Sequence, residues 1–429
     1  MTIFLMVALF LLFLFAGAPV VFALGLPAMF YFFIDGTMPV EFLAHSMTSP
    51  LFNFVLIALP AFLLSGRMMN SSGVTNRLFD FAIAVVGRFR GGLAHANVVA
   101  SMMFASMSGT AVGDAGGLGQ VEMNMMKKAG YKVDFSAGVT AASSVLGPII
   151  PPSVAMVVLG ATAEISIGRL FMGGLIPGIM MAVALMVYIA VRAHTTDEGR
   201  SWPVTKVPVK EIPKITLKAL LPMLTPVIII GGISFGVVTP TEAAVVAIDY
   251  AIILGLFYKE LNWKVLWETL SDTVTTTGTF MFIIAIAGFF TWIVTKEGLP
   301  AMISQFLTPI VGSSQLVGML VLAAFFLVIG CFLDTTAAIL LVTPTLMPII
   351  NSLGIDPVHF GIVMTVALII GIITPPFGIC LFVMADVADI SVSRVTKESI
   401  KYLPAMFITL LLIIIFPDLV LWLPNMLFK

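Results

Sequence analysis

GPIIPP at residues 147–152 is matched in the second half of the chain by GIITPP at residues 371–376. Each motif lies inside a long apolar run. A proline pair removes two amide donors and cannot continue an α-helix. Each motif therefore predicts a helix break at which backbone carbonyl groups are left without partners. The alternative interpretation is that both motifs are simple kinks.

Further matches at nearly the same spacing extend this pair of motifs into a repeat. The matched positions are residues 163–167 with 388–392, residues 109–111 with 335–337, and Gly130 with Gly354. A single match could arise by chance, whereas an ordered series of matches indicates duplication. We therefore predict two internal repeats, residues 1–191 and residues 219–429.

The composition is that of a membrane protein. Apolar residues make up 60% of the 429 residues, charged residues make up 10%, and the mean hydropathy is +1.13. A soluble domain contains about 25% charged residues. We therefore predict an all-α polytopic membrane protein. Its first membrane helix is expected at residues 2–15, with a bend near Pro19.

Several classes of function have no support in the sequence. The net charge of −1 argues against nucleic-acid binding. The phosphate-binding motif GxxxxGK[ST] does not occur, so hydrolysis of a nucleotide through a P-loop is not expected. Cys331 and Cys380 lie in apolar stretches and indicate no disulfide framework, and the four histidines are scattered rather than clustered for metal binding.

The distribution of basic residues predicts that the two repeats are inverted. Residues 192–218 hold six basic residues and three prolines, which predicts a cytoplasmic linker. Basic residues also flank residues 106–110, whereas the matching flanks at 309–315 and 349–359 contain no Lys or Arg. Matching segments with opposite charge bias are expected to have opposite orientations in the membrane.

Each repeat is predicted to contain a re-entrant helical hairpin and an interrupted helix. One hairpin arm, residues 97–106, would be roughly 15 Å long, which is about half of the hydrocarbon core. The hairpins are expected at about 92–127, entering from the cytoplasmic face, and at about 315–350, entering from the periplasmic face. The interrupted helices are expected at about 136–163 and 360–388.

Small polar residues mark both hairpin tips, at positions 106–110 and 334–336. Their oxygens can cap broken helices, which is the structural alternative, or bind a cation. Sodium prefers hydroxyl and carbonyl oxygens, so we predict one sodium site between each tip and the break of its own repeat. The predicted sodium ligands are Ser106, Ser108, Gly147, Ile150, Pro152, Asp334, Thr336, Gly371, Thr374 and Phe377.

A substrate site is predicted beside the sodium sites. Its predicted residues are Ser108, Gly109, Thr110, Thr335, Thr336 and Arg67. Arg67 could reach an anionic substrate, and the alternative is that it extends to the membrane interface. Asp114, Glu242, Asp249 and Asp386 lie in or near apolar runs, where ionisable residues are costly and often functional.

Several longer motifs resemble those of the large membrane subunit of tripartite ATP-independent periplasmic (TRAP) transporters. They are RGGLA at 90–94, SGTA at 108–111, TPTEAA at 239–244, DPVHFG at 356–361 and TPP at 374–376. The resemblance extends over essentially the whole chain. Arg67 departs from it, since an acidic residue is expected there in many members.

The resemblance implies an elevator-type transporter of the bacterial inner membrane, surrounded by membrane lipid. It implies uptake of an organic acid, such as a sialic acid or a C4-dicarboxylate, driven by about two sodium ions and no nucleotide. The implied partners are a periplasmic substrate-binding protein and a small four-helix membrane subunit. The alternatives are a stand-alone ion-coupled carboxylate transporter or antiporter and, less favoured by the residues, a membrane enzyme.

Overall fold

The computed structural model of this chain describes residues 2–36, 39–205, 207–299, 301–302, 305 and 314–428. Within these residues all regular secondary structure is helical. Seven helical stretches are long and apolar enough to cross a membrane, namely Phe54–Ser71, Ile167–Thr195, Ile212–Ser234, Pro240–Phe257, Trp263–Lys296, Thr335–Ser352 and Val392–Ile415. The predicted all-α, multi-pass membrane protein is confirmed.

The first half of the chain folds into helices α1 to α10. They are α1 Thr2–Phe15, α2 Val20–Asp35, α3 Val40–Thr48, α4 Ala58–Ser71, α5 Val74–Val86, α6 Gly92–Ser108, α7 Gly119–Lys128, α8 Val133–Ser144, α9 Val154–Ala163 and α10 Ile167–Thr195. A short helical turn and a π-type turn, Ala111–Gly113 and Asp114–Leu118, lead into α7.

The second half folds into helices α11 to α20. They are α11 Ile212–Ser234, α12 Pro240–Phe257, α13 Trp263–Lys296, α14 Gln315–Gly330, α15 Thr335–Ser352, α16 Pro357–Gly371, α17 Ile379–Ala388, α18 Val392–Ser399, α19 Leu403–Ile415 and α20 Asp418–Leu427. The predicted outer segment 309–315 falls largely outside the described residues, because only Ser314 and Gln315 belong to them.

The first apolar segment forms two helices, and the expectation of one bent helix was wrong. α1 ends at Phe15, the chain turns at Gly17 with a φ of +77°, and α2 begins after Pro19. The two helices pack against each other. Glycine adopts this left-handed conformation without a steric cost, which lets the chain reverse where a bend was expected.

Each stretch predicted to form a hairpin holds two main helices, α6 and α7 in the first and α14 and α15 in the second. In the first, α6 and α7 both pack against α8, and in the second, α14 packs against α16 while α15 packs against α9. α6 is 17 residues long, or about 25 Å, and is therefore longer than the predicted arm. Because this length approaches the hydrocarbon thickness of about 30 Å, arm length alone no longer argues for re-entry. The faces from which the hairpins enter stay predictions.

A buried polar network holds the first hairpin to α8. The Asn97 side-chain amide donates to Glu122 Oε2 at 2.8 Å and to Thr140 Oγ1 at 2.7 Å. The Ser143 hydroxyl donates to Asn97 Oδ1 at 2.7 Å. Because these residues come from α6, α7 and α8, the network joins both hairpin arms to the helix that precedes the first break.

Each proline motif separates two helices, as predicted. α8 ends at Ser144 and α9 begins at Val154, while α16 ends at Gly371 and α17 begins at Ile379. The helix after each break packs against the other half of the chain, α9 against α15 and α17 against α7 and α8. The two halves therefore interlock around the breaks.

The polar linker is shorter than predicted, and side chains in and beside it contact other helices. α10 continues to Thr195 and α11 begins at Ile212, so only residues 196–211 connect them. Arg192, expected to open the linker, lies inside α10 and bonds to Glu398 of α18 at 2.8 Å. In the linker itself, the Trp202 ring stacks on Phe135 of α8 with a centroid distance of 4.2 Å.

Two of the motifs that carry the family resemblance are helix starts. In TPTEAA, the Thr239 hydroxyl accepts the amide of Glu242 at 3.3 Å, and the Glu242 carboxylate accepts the amide of Thr239 at 2.8 Å. In DPVHFG, the Asp356 carboxylate accepts the Val358 amide at 2.7 Å. Both motifs therefore satisfy helix amino ends, and Glu242 has this structural role.

Candidate functional site

One cavity of about 560 Å³ brings the two hairpin tips together. The first tip contributes residues 108–113 and the second contributes residues 334–336. The facing wall is formed by α4, through residues such as Arg67 and Asn70, and by α13, through Asp272 and other residues. A volume of this size is typical of small-molecule sites.

The first tip is built around a carboxylate. α6 ends at Ser108, whose hydroxyl donates to Asp114 Oδ1 at 2.7 Å. The second oxygen of Asp114, Oδ2, is buried and has no hydrogen-bond partner among the described residues. Thr110 caps the helical turn that follows, since its hydroxyl accepts the Gly113 amide at 3.1 Å. A buried carboxylate oxygen without a donor is costly unless a cation or proton satisfies it.

The first break lies directly against this tip. The Gly109 carbonyl accepts the Val154 amide at 3.2 Å, which joins the tip to the start of α9. A side chain at Gly147 would begin 2.7 Å from the Thr110 carbonyl oxygen, so only glycine permits this approach. The Ser153 hydroxyl donates to the Pro148 carbonyl at 2.6 Å. The structure thus brings together the tip and the break that the sequence paired.

The second tip and the second break are paired in the same way. The Asp334 carboxylate accepts the Thr336 amide at 2.9 Å and thereby caps α15. A Cβ atom on Gly371 would lie 2.5 Å from the backbone of Gly330, just before the tip. The Thr335 hydroxyl is buried and has no partner among the described residues. Unpaired oxygens at both tips fit a hard cation such as sodium.

Several helix amino ends face the cavity. Thr335 and Thr336 begin α15, Ala155 lies in the first turn of α9, and Ala111 begins the turn that leads to α7. A helix amino end carries partial positive charge, and here part of its amide donors are already capped, that of Thr336 by Asp334 and that of Gly113 by Thr110. These ends therefore favour an anionic group in the cavity.

Some predicted ligands make other contacts. The Ser106 hydroxyl donates to the Met103 carbonyl at 2.6 Å, and the Thr374 hydroxyl donates to the Ile370 carbonyl at 2.7 Å. Both hydroxyls keep lone pairs that can face a cation. The Ile150 side chain packs against Gly178 of α10, and the Phe377 ring lies 5.6 Å from that of Phe332. Only the backbone carbonyls of these last two residues can serve as ligands.

Arg67 lines the cavity. Its guanidinium donates to the Thr276 hydroxyl at 2.6 Å and lies 3.6 Å from the Asp272 carboxylate. Arg67 is thus part of the cavity wall, and its depth in the membrane stays a prediction. The sequence analysis missed Asp272 and Thr276. Their signal is the polar run SDTVTTT at 271–277 within an otherwise apolar helix.

Comparison with known proteins identifies the family. The model for "Tripartite ATP-independent periplasmic transporter, DctM component" matches residues 7–419. This chain belongs to that family. The TRAP permease is 41% identical over 415 residues to the sialic acid TRAP transporter large permease protein SiaM of Vibrio cholerae, with 96% of each chain covered. It is 38% identical over 382 residues to the C4-dicarboxylate TRAP transporter large permease protein DctM of Pseudomonas aeruginosa, with 87% of each covered.

A solved structure shares the fold of this TRAP permease. The YdaH transporter of Alcanivorax borkumensis superposes with a TM-score of 0.64 at 13% identity, and the alignment covers 87% of this chain and 88% of that one. At this identity the likeness concerns the fold alone.

The family membership confirms three of the sequence-based predictions at a coarse level. This TRAP permease is a bacterial inner-membrane protein and a member of a transporter family rather than an enzyme family. Members of the family work with a substrate-binding protein and a small membrane subunit. The sodium ligands, the individual substrate and the division into inverted repeats stay predictions.

Proposed function

We propose that this TRAP permease carries a small organic acid into the cell, coupled to the entry of sodium ions. The observation that supports this most directly is the single cavity lined by both hairpin tips. It combines helix amino ends, which favour an anion, with oxygen atoms that lack partners, which favour a cation. A site with both features suits the joint binding of a carboxylate and sodium.

The two tips each supply one of about two sodium sites. The first site combines Ser108 and Asp114 with carbonyls of the 147–152 break. The second combines Asp334 and Thr335 with carbonyls of the 371–374 break. Asp114 is an addition to the ligands predicted from sequence, and its support is the buried Oδ2 atom that has no partner.

The cavity favours a hydroxylated acid with one carboxylate over a C4-dicarboxylate. Among the described residues that line it in this conformation, Arg67 is the one basic side chain, and Asp272 beside it would repel a second carboxylate as the acid leaves. Hydroxyl groups are abundant in the remaining lining, which suits a polyhydroxylated substrate. We therefore assign the substrate to the sialic acid class, and a C4-dicarboxylate is the second candidate.

Movement of the hairpins past the remaining helices would carry the substrate. α4, α11, α12 and α13 form one packed group, and the hairpins and broken helices form a second group that contacts the first, with α4 against α6 and α13 against α15. The first group would serve as the scaffold and the second as the moving unit of an elevator. A small membrane subunit would enlarge the scaffold, and a periplasmic binding protein would deliver the acid.

Uptake by proteoliposomes tests this function. The permease is reconstituted with its small subunit, and an inward sodium gradient is imposed with or without the cognate binding protein. We expect N-acetylneuraminate to accumulate only when the binding protein is present, and unlabelled succinate not to compete. Accumulation of succinate would overturn the assigned substrate class. Uptake without the binding protein would favour the stand-alone transporter.

A further inference from the structure

Arg67 and Asp272 form an ion pair on the wall of the cavity that faces the hairpin tips. Arg67 belongs to α4 and Asp272 to α13, two helices that pack directly against each other. The Arg67 side chain is 36% exposed and that of Asp272 is 73% exposed, and the closest nitrogen and oxygen are 3.6 Å apart. An exposed pair at this distance is weak. A carboxylate from a substrate can therefore replace Asp272 as the partner of Arg67.

The pair lies near one end of α13. Asp272 is in the third turn of α13, about 14 Å from the start of that helix at Trp263. Toward the other end of α13, Gly288 packs closely against Pro50, and the Trp292 ring lies 4.3 Å from that of Phe42. The wall is therefore charged near the start of α13, and a second cavity of about 600 Å³, lined by Pro50, Gly288 and Trp292 among others, lies near the other end of this helix.

The predicted topology makes the start of α13 cytoplasmic. The basic linker that precedes α11 is predicted to be cytoplasmic. α11 and α12 are each long enough to cross the membrane once, so α13 begins again on the cytoplasmic side. The cavity at Arg67 thus opens toward the cytoplasm in this conformation.

We infer that Arg67 and Asp272 form a release site on stationary helices, which meets the substrate carboxylate only on the cytoplasmic side. This inference rests on the proposed function. Arg67 bonds to Thr276 and Asp272 of α13 and not to a hairpin. When the hairpins move outward with the acid, Arg67 stays behind. On the cytoplasmic side its charge attracts the departing carboxylate, and Asp272 competes for Arg67 so that the acid is not retained.

Transport measured separately from each face tests the release site. Arg67→Gln and Asp272→Asn permeases are reconstituted with the small subunit, with N-acetylneuraminate and succinate as probes. We expect Arg67→Gln to raise the half-saturating acid concentration on the cytoplasmic face about fivefold, as for loss of one exposed charge contact. The half-saturating acid concentration on the periplasmic face should stay within about twofold of that of the unsubstituted permease. Asp272→Asn should lower the half-saturating acid concentration on the cytoplasmic face, because the carboxylate that competes for Arg67 is gone.

Arg169→Gln is the matched control. Arg169 is 33% exposed, donates to Asn425 at 2.8 Å and lies outside the cavity. This change should therefore leave the half-saturating acid concentration unchanged on both faces. Equal increases on both faces for Arg67→Gln would overturn the inference, because Arg67 would then belong to the carried site. No change on either face would also overturn it, since the pair would then only tie α4 to α13.

A second readout needs no transported acid. Arg67→Cys is exposed to membrane-impermeant thiol reagents in inside-out and right-side-out vesicles, and the native Cys331 and Cys380 are buried. We expect modification from the cytoplasmic face, and modification from the periplasmic face alone would overturn the inference. If neither acid accumulates with the unsubstituted permease, the proposed function fails, and this readout still decides whether Arg67 faces the cytoplasm.

Discussion

Asp114 is the residue on which the chemistry of the first tip depends. One carboxylate oxygen accepts the Ser108 hydroxyl at 2.7 Å, while the other is buried without a partner. The residue lies at the start of a π-type turn, Asp114–Leu118, which widens the helix at the tip. At the second tip, Asp334 caps α15 and its carboxylate is already engaged with the Thr336 amide. The two tip carboxylates therefore differ in how they are engaged, and under the proposed function we expect Asp114 to contribute more to sodium binding.

Removing oxygen ligands should weaken sodium binding in a graded way. Asp114→Asn should raise the sodium concentration for half-maximal uptake most, by about 10- to 100-fold, because it removes the charge facing the cation. Asp334→Asn and Thr374→Val should raise it by roughly 5-fold or more. The measurement is sodium-dependent uptake at matched expression.

Asp249→Asn is the control for these changes, because Asp249 is exposed on α12 and does not line the cavity. If Asp114→Asn has no more effect than Asp249→Asn, the first sodium site is misplaced. If Asp334→Asn and Thr374→Val both leave the sodium dependence unchanged, these residues only cap and bend broken helices.

At the scale of elements, close backbone contact at the two breaks holds each tip in place. Gly147 faces the Thr110 carbonyl and Gly371 faces the backbone of Gly330. In both pairs the neighbour is main chain, which cannot rotate away as a side chain could. The breaks therefore support the tips through backbone contact. Under the proposed function they would also supply carbonyl oxygens to sodium.

Gly147→Ala and Gly371→Ala should each disturb this contact. The added Cβ would lie 2.7 Å from Thr110 and 2.5 Å from Gly330. We expect the melting temperature in detergent to fall by about 3–10 °C and sodium-driven uptake to be lost. Gly231→Ala in α11 is the control, since nothing lies within 4 Å of its Cβ position. Melting temperatures of both variants equal to that of Gly231→Ala would contradict the supporting role.

The elements that could be predicted from sequence are those with local causes. Proline pairs stop helices, and small polar residues between apolar arms interrupt them, so the helix ends at both breaks and at both polar segments could be predicted. Contacts between distant segments were not predictable. The pairing of Arg67 with Asp272 and the packing of Trp202 on Phe135 depend on how helices from different regions meet. The Ser106 and Thr374 hydroxyls donate to backbone carbonyls of the helices beside them. Such local hydrogen bonds compete with cation binding, and the presence of a hydroxyl in the sequence does not reveal them.

At the scale of the whole molecule, the two halves interlock in a way that favours movement as one unit. α9 from the first half packs against α15 of the second hairpin, and α17 from the second half packs against α7 of the first hairpin. Neither hairpin can shift far without moving the other. Because both tips line one cavity, sodium bound at either tip under the proposed function would stabilise the same unit.

The predicted topology is tested by cysteine accessibility. Ser352, at the end of α15, is predicted to be periplasmic, and Ser201, in the linker, to be cytoplasmic; both are exposed. We expect an impermeant maleimide to label Ser352→Cys in intact inner membranes and Ser201→Cys only after disruption. The unsubstituted chain is the control, because Cys331 and Cys380 are buried. Labelling of Ser201→Cys in intact inner membranes, and of Ser352→Cys only after disruption, would show that the predicted topology is inverted.

Sodium entry that accompanies acid uptake tests sodium-coupled transport most directly. A potential of about 100 mV contributes roughly 2.3 kcal/mol per sodium ion, and a tenfold gradient contributes about 1.4 kcal/mol. Proteoliposomes with the permease, its small subunit and acid-loaded binding protein are supplied with radioactive sodium. We expect about two sodium ions to enter with each acid, and Asp114→Asn to reduce both fluxes. Acid entry at an unchanged rate with potassium replacing sodium on both sides would contradict the proposed coupling.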